Sequence, residues 1–294
     1  MAELILDARN ATGESPLWGV SEQSLYWVDI PHKKLMRWHA PTRKTQSWLV
    51  PEMLACIAWA GDSDQWIAGM ESGIFELSFS THGELQCRLI EAVRHAQAGM
   101  RFNDGRCDRQ GRFWAGTMVK DMAKATPIGA VYCYEKSSGL KKCLEGFMTP
   151  NGLAFSPDGR TMYLSDSHPS VQKIWSFDFD PSSGTPSNQR LFVDMLPLPG
   201  RPDGAAVDEE GFYWICANDA GLIHRFSPTG KLDRSLTVPV KKPAMCSFGG
   251  ENLDILFVTS IRPDGIDLSD QPLAGGLFAL RPGVRGLPEA RCTI

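Results

Sequence analysis

No run of apolar residues approaches the ~18 to 20 that a membrane-spanning helix needs, and the opening stretch MAELILDARN lacks the basic segment and long apolar core of a secretory leader. A surplus of positive charge is also missing. The 30 Lys and Arg stand against 34 Asp and Glu, a formal net charge of -4, which provides no basic patch for a nucleic-acid backbone or an anionic membrane. The expectation is a soluble, cytoplasmic protein with neither nucleic acid nor membrane as a partner; the sequence leaves its oligomeric state open.

Paired cysteines are absent as well. The eight cysteines are scattered, with no CxxC, as expected of small buried hydrophobes in a reducing compartment rather than of a disulfide framework or a zinc site. The usual hydrolytic and nucleotide-binding machinery does not occur. GESPL lacks the last glycine of a GxSxG elbow, which makes Ser15 a poor nucleophile, and the six histidines form no HExxH. His168, in SDSHPS, is the one histidine placed to approach a channel mouth. There is no phosphate loop and no dinucleotide fingerprint, so metal-assisted chemistry is favoured over covalent catalysis.

What the chain does have is a repeat. SLYWVD, DQWIAG, RFWAGT, TMYLSD, FYWICA and ILFVTS are short apolar runs whose central aromatics are Trp27, Trp66, Trp114, Tyr163, Trp214 and Phe257. These are spaced roughly 39 to 51 residues apart, within the range of propeller blades and helical arrays. Each run follows a turn signal (GVSEQ, AGDSD, DRQG, SPDG, DEEG or GGENLD), and alternating runs such as GIFELSF and KIWSFDF come after it. Three or more strands per repeat with little helical periodicity point to antiparallel blades. The expected fold is all-β, a six-bladed β-propeller with a metal site in its central channel, and residues 1–294 form a single domain. The N-terminal LILDA is expected to add the outer strand of the last blade and so close the ring.

If the repeats are blades, residues at one phase share one end of the channel. GESPLW, PNGLAF and RPDGAAV then bring Glu14, Asn151 and Asp203 together in one register. Two carboxylates and an amide carbonyl suit a hard divalent cation such as Ca²⁺ or Mg²⁺, although Asn-Gly and Asp-Gly are also plain turn dipeptides. RFNDGRCD is ambiguous, because its Asp-Gly pair selects Asp104 whereas strand alternation sets Arg101 and Asn103 on one face and Asp104 on the other. Asp108, Asp158 and Asp208 recur at the opposite end as turn formers. The tryptophans read as packing between sheets rather than as sugar platforms, and Trp18 follows its strand into a blade interior.

Taken together, GESPLW, RFNDGRCDRQGRFWAGTM, PNGLAFSPDG, RPDGAAVD, CSFGG and AGGLFAL resemble the gluconolactonase family that includes senescence marker protein 30, or regucalcin, along nearly the whole chain. The resemblance implies a six-bladed propeller with one divalent ion (Ca, Zn, Mg or Mn) and hydrolysis of a sugar lactone. It also implies that Glu14, Asn151 and Asp203 are metal ligands, that Arg101 and Asn103 bind substrate, and that Asp121 faces substrate after GTM. Animal members carry glutamate at this last position, so the shorter Asp121 and its neighbour Lys120 leave the sugar preference open. On this reading the metal polarises the lactone carbonyl and Asp203 is the candidate general base, while Arg101 and Asn103 orient the sugar hydroxyls. Two other readings stand beside it: a regucalcin-like calcium-binding protein without turnover, and a promiscuous esterase or phosphotriesterase.

Overall fold

Residues 2–61 and 65–293, described by a computed structural model, contain 24 strands arranged as six four-stranded sheets. In chain order they are β1 (Glu3–Leu6); β2 (Gly13–Gly19), β3 (Ser24–Asp29), β4 (Lys34–His39) and β5 (Lys44–Leu49); then β6 (Leu54–Ala60), β7 (Gln65–Met70), β8 (Gly73–Phe79) and β9 (Leu85–Ala92). The third and fourth sheets are β10 (Met100–Cys107), β11 (Phe113–Val119), β12 (Gly129–Glu135), β13 (Gly139–Phe147) and β14 (Pro150–Phe155), β15 (Thr161–Asp166), β16 (Lys173–Asp180), β17 (Thr185–Asp194). The fifth is β18 (Arg201–Val207), β19 (Tyr213–Asn218), β20 (Leu222–Phe226) and β21 (Leu232–Thr237). The sixth takes β22 (Pro243–Gly249), β23 (Ile255–Ser260) and β24 (Leu277–Leu280) from the end of the chain and β1 from its start. Glu3 and Leu4 pair antiparallel with Ala279 and Phe278, so the ring of blades closes as LILDA predicts.

The first strands of the blades neighbour one another around the centre and are buried along nearly their whole length. The fourth strands lie outermost and half-exposed, with Lys, Arg and Glu in KTQSWL, LQCRLIEA and GLKKCLEGF blunting their free edges against pairing. All six repeat aromatics lie on second strands and are buried. Four of them meet aromatics of adjacent sheets in these pairs: Tyr26 stands 5.0 Å from Trp66, Trp114 6.2 Å from Phe155, Tyr163 5.0 Å from Tyr213, and Trp18 stacks on Phe257 at 5.2 Å. The core is therefore a series of inter-sheet layers, each sealed by large rings that add area and geometric preference at once.

The turn aspartates do more than turn the chain. Asp108 accepts from the Gln110 and Arg112 amides through Oδ1, and from Trp114 Nε1 and Arg112 through Oδ2. Asp208 repeats this with Glu210, Phe212, Trp214 Nε1 and Arg225. Each therefore ties its turn to the indole of the following strand, while Asp158 holds only Ser156 and the Arg160 amide. The turn expected over AGDSD falls mostly on residues 62–64, outside the described residues. Beyond β24 the chain crosses this same end, where Glu289 pairs with Arg106 at 2.5 Å and Cys292 bonds the Trp59 carbonyl. The eight cysteines are all free thiols, and six of them are buried. Among the described residues no helix is long and apolar enough to cross a membrane.

Candidate active site

Each first strand is broken by a bulge where it faces its second strand. The register slips between Glu14 and Leu17, Leu54 and Cys56, Phe102 and Gly105, Asn151 and Ala154, Pro202 and Ala205, and Pro243 and Cys246. A bulge interrupts side-chain alternation and re-aims the residues in it, a common device beside active sites. Glu14 and Asn151 are the last paired residues before their bulges, whereas Asp203 lies inside its own. The single register expected for the three is therefore wrong by one residue at Asp203. The left-handed backbone at Ser15 (φ 51°) and Gly152 (φ 61°) makes the two bends, and Ser15 pays back its strain through hydrogen bonds between its Oγ and both Ile57 N and Ile57 O.

These bends bring Asn151 and Asp203 into contact. Asn151 Nδ2 donates to Asp203 Oδ1 at 2.6 Å and to Ser167 Oγ at 3.3 Å, and Asn218 Nδ2 donates to Asp203 Oδ2 at 2.6 Å. Glu14 shares the same electrostatic surroundings. Its pKa is raised well above the usual carboxylate value, first by burial and then by the charges of Asp203 and Asp104, with Arg101 pulling the other way. Burial likewise pushes Asp203 up to about 6, against the lowering effects of the Asn218 amide and Arg201. The Asp104 carboxyl is also raised by burial and held partly in check by the Leu153 amide and Arg106.

Asp104 lies inside the β10 bulge, and its Oδ2 accepts from Leu153 N at 2.8 Å, bracing the β14 bulge that carries Asn151; its charge also raises Glu14 and Asp203. Asp104 Oδ1 and Asn218 Oδ1 are buried oxygens without a hydrogen-bond partner among the described residues. An all-oxygen donor set, carboxylates held up in pKa by burial and mutual repulsion, and unsatisfied acceptors beside them together fit a hard divalent cation, whose charge would relieve the last two.

Arg101 and Asn103 are brought together beside the trio. Arg101 Nη1 donates to the Phe102 carbonyl at 2.6 Å and to Asn103 Oδ1 at 2.9 Å, and Asn103 Nδ2 donates to Pro150 O at 3.1 Å. Burial lowers the Arg101 pKa, offset by Glu14, Cys56 and Glu71. Asp121 stands apart from them. It is exposed, caps the 3₁₀ turn Met122–Lys124 through the Ala123 amide, and pairs with Lys124 at 3.1 Å, which holds its carboxyl below the usual range. Lys120 pairs with Glu71. His168 hydrogen-bonds Ser170 and lines a cavity of about 640 Å³ with Arg201 and Asp219. A second cavity, about 670 Å³, opens between the last and first blades at Trp18, Trp38 and Phe257, and none of the trio lines it.

Asn218 was not singled out from the sequence, yet its ladder position is legible. It pairs with Arg201 as Asp29 pairs with Gly13 and Asp166 with Pro150. Asp29 and Asp166 use that position to hold the incoming loop, through the Ala11 and Thr12 amides and the Met148 and Thr149 amides. In the fifth blade the residue is an amide and the partner is Asp203. An aspartate there would set a like charge against Asp203.

Residues 12–262 match the family described as SMP-30/Gluconolactonase/LRE-like region. The chain is similar to 6-deoxy-6-sulfogluconolactonase of Pseudomonas putida, with 37% identity over 94% of this chain and 93% of that protein. It is similar to pig (Sus scrofa) regucalcin, with 33% identity over 97% of this chain and 96% of that protein. Among solved structures, a calcium-binding protein, regucalcin, of Agrobacterium tumefaciens superposes with a TM-score of 0.91 at 25% identity, covering 100% of this chain and 98% of that one.

Proposed function

The chain belongs to the SMP-30/gluconolactonase/LRE-like family, and we propose that it is a hydrolase that opens a sugar (aldono) lactone to the sugar acid. The observation that supports this reading is the contact of Asn151 with Asp203, backed by Asn218, with the Glu14 carboxyl coupled to the charge of Asp203. We propose that these three residues hold one divalent cation. When bound, such a cation polarises the ester carbonyl and offsets charge developing on its oxygen.

The remaining steps belong to the chain's own groups. Asp203, fixed by two amides and kept ionised by the cation, is placed to take a proton from the attacking water. The new carbon–oxygen bond forms as the carbonyl oxygen gains charge. The ring C–O bond then breaks, the ring oxygen receives a proton, and the sugar acid ionises. Asn103 presents an amide and Arg101 a guanidinium to the sugar hydroxyls, and the pair fixes itself by the Arg101–Asn103 bond. Asp121, on its exposed 3₁₀ turn, reaches the sugar only by giving up Lys124, so we assign it a weaker, orienting role.

The test is proton release from a panel of five- and six-membered aldonolactones, using protein stripped with EDTA and then supplied with single divalent metals. Restoration of turnover on one or a few lactones supports the reading. Tight metal binding without turnover above the spontaneous rate overturns it and leaves a calcium-binding protein, the function that the name of the Agrobacterium structure gives to that protein.

A further inference from the structure

We infer that Glu289, carried on the segment that follows β24, is a positioning residue for Asp203 and acts through Arg106. The inference rests on the reading of Asp203 as a metal ligand and extends the site to its far side. After β24 the chain runs as a strap across the end of the ring where the turn aspartates lie. The Glu209 amide donates to Arg285 O at 2.9 Å and the Gly286 amide to Leu253 O at 2.8 Å, which ties the strap to the fifth and sixth blades. Cys292 N donates to Trp59 O at 2.7 Å and Thr293 N to Gly111 O at 3.0 Å, which ties it to the second and third. Glu289 sits between these two anchorages, and its Oε1 accepts from Arg106 Nη1.

Arg106 joins this strap to the bulges. It lies on β10 just past the bulge that holds Asp104, where the ladder with β11 has resumed. Its Nη2 donates to Ala205 O at 2.7 Å, and Ala205 is the residue at which β18 regains its pairing after the bulge that holds Asp203. Its charge also offsets Asp104, whose Oδ2 braces the β14 bulge at Leu153 N. The ion pair is sheltered, with the Arg106 side chain 11% and the Glu289 side chain 17% exposed, and Arg106 Nε has no hydrogen-bond partner among the described residues. The guanidinium is therefore held by Glu289 on one side and the Ala205 carbonyl on another. Without the charge of Glu289, Asp104 remains as its carboxylate partner, and a turn toward Asp104 draws Nη2 off the Ala205 carbonyl. The β18 bulge then loses the contact that closes it, and Asp203 loses its fixed aim.

Glu289→Gln keeps the shape of the side chain and removes its charge. Calorimetric titration of metal-stripped protein with Ca²⁺ and, separately, Mn²⁺ should show binding about tenfold weaker than in the wild type, the scale for losing a group that orients a ligand. Arg291→Gln is the control for a loosened strap: it removes the bond from Arg291 Nε to Gly61 O without touching Arg106, and should bind either ion as the wild type does. In an Arg106→Gln background the Glu289 substitution should change nothing further, because its effect runs through the guanidinium. Hydrogen exchange over residues 201–207 needs no metal, and it should quicken in Glu289→Gln and in Arg106→Gln but not in Arg291→Gln. Wild-type affinity in Glu289→Gln, or an equal loss in the Arg106→Gln background, overturns the inference and leaves the metal reading standing. A wild-type protein that binds neither ion overturns the metal reading instead, and exchange alone then decides whether Glu289 holds the β18 bulge.

Discussion

Asn218 and Asp203 lie on adjacent strands of one blade and meet inside the channel, Asn218 Nδ2 donating to Asp203 Oδ2 at 2.6 Å. The bond fixes the orientation of the carboxylate and favours its charged form. Replacing Asn218 with alanine should lower kcat/KM or metal affinity by about 10- to 100-fold, the usual cost of removing a group that orients a ligand. The acid limb of the pH profile should also move to higher pH, a displacement that a merely loosened fold would not give.

Asp203→Ala removes the group proposed both as a metal ligand and as the base. Turnover should fall by about 10³-fold or more, toward the spontaneous rate, because a general base alone contributes about 10² to 10⁴. Cooperative thermal unfolding should persist. Metal-dependent activity at the wild-type level in this variant would overturn both assignments.

The Asp203 carboxyl, raised from 3.8 to about 6, makes a prediction about stability. A carboxyl raised in the folded state favours folding while it is protonated, and the folded protein loses that advantage as pH climbs from about 4 to about 6, by about 3 kcal/mol in full. Glu14 is shifted in the same direction. A bound cation offsets the loss. The Tm difference between cation-saturated and EDTA-treated protein should therefore be small near pH 4.5 and widen toward pH 7; an equal difference at both would place the cation elsewhere.

At the other end of the channel, Asp208 takes two hydrogen bonds from Arg225, one from Trp214 Nε1 and two from backbone amides, and it is fully buried. Asp208→Ala leaves Trp214 Nε1 and the Glu210 and Phe212 amides without their acceptor, while Glu210 and Asp233 still pair with Arg225. Denaturant unfolding should show a loss of at least about 2 kcal/mol, the scale of buried donors left unsatisfied. The folded fraction should keep its kcat.

The blade count and ring closure were legible because each second strand announces itself with an aromatic after a turn, a signal local enough to survive variation in loop length. SLYWVD and TMYLSD needed no partner to be read as strands. Glu14 and Asn151 were legible for a related reason, since each begins a first strand. The bulges were not legible. They depend on how two strands pair, and they are why phase misplaced Asp203 by one residue and why the place of Asp104 could not be read from alternation. Arg106–Glu289 escaped for a different reason: the partners are brought together only when the chain end folds across the channel.

The pairing of β1 with β24 also sets an order of events. During synthesis β1 waits for β24 to follow it, on the order of tens of seconds at ribosomal speed. The blades between can form as each emerges, since their strands are consecutive. Glu14 stands in the blade beside that seam and Asp203 in the blade before the last. A nascent chain therefore carries Glu14 and Asp203 before the circle that gathers them is complete, and any activity that needs both becomes a report that the final seam has zipped.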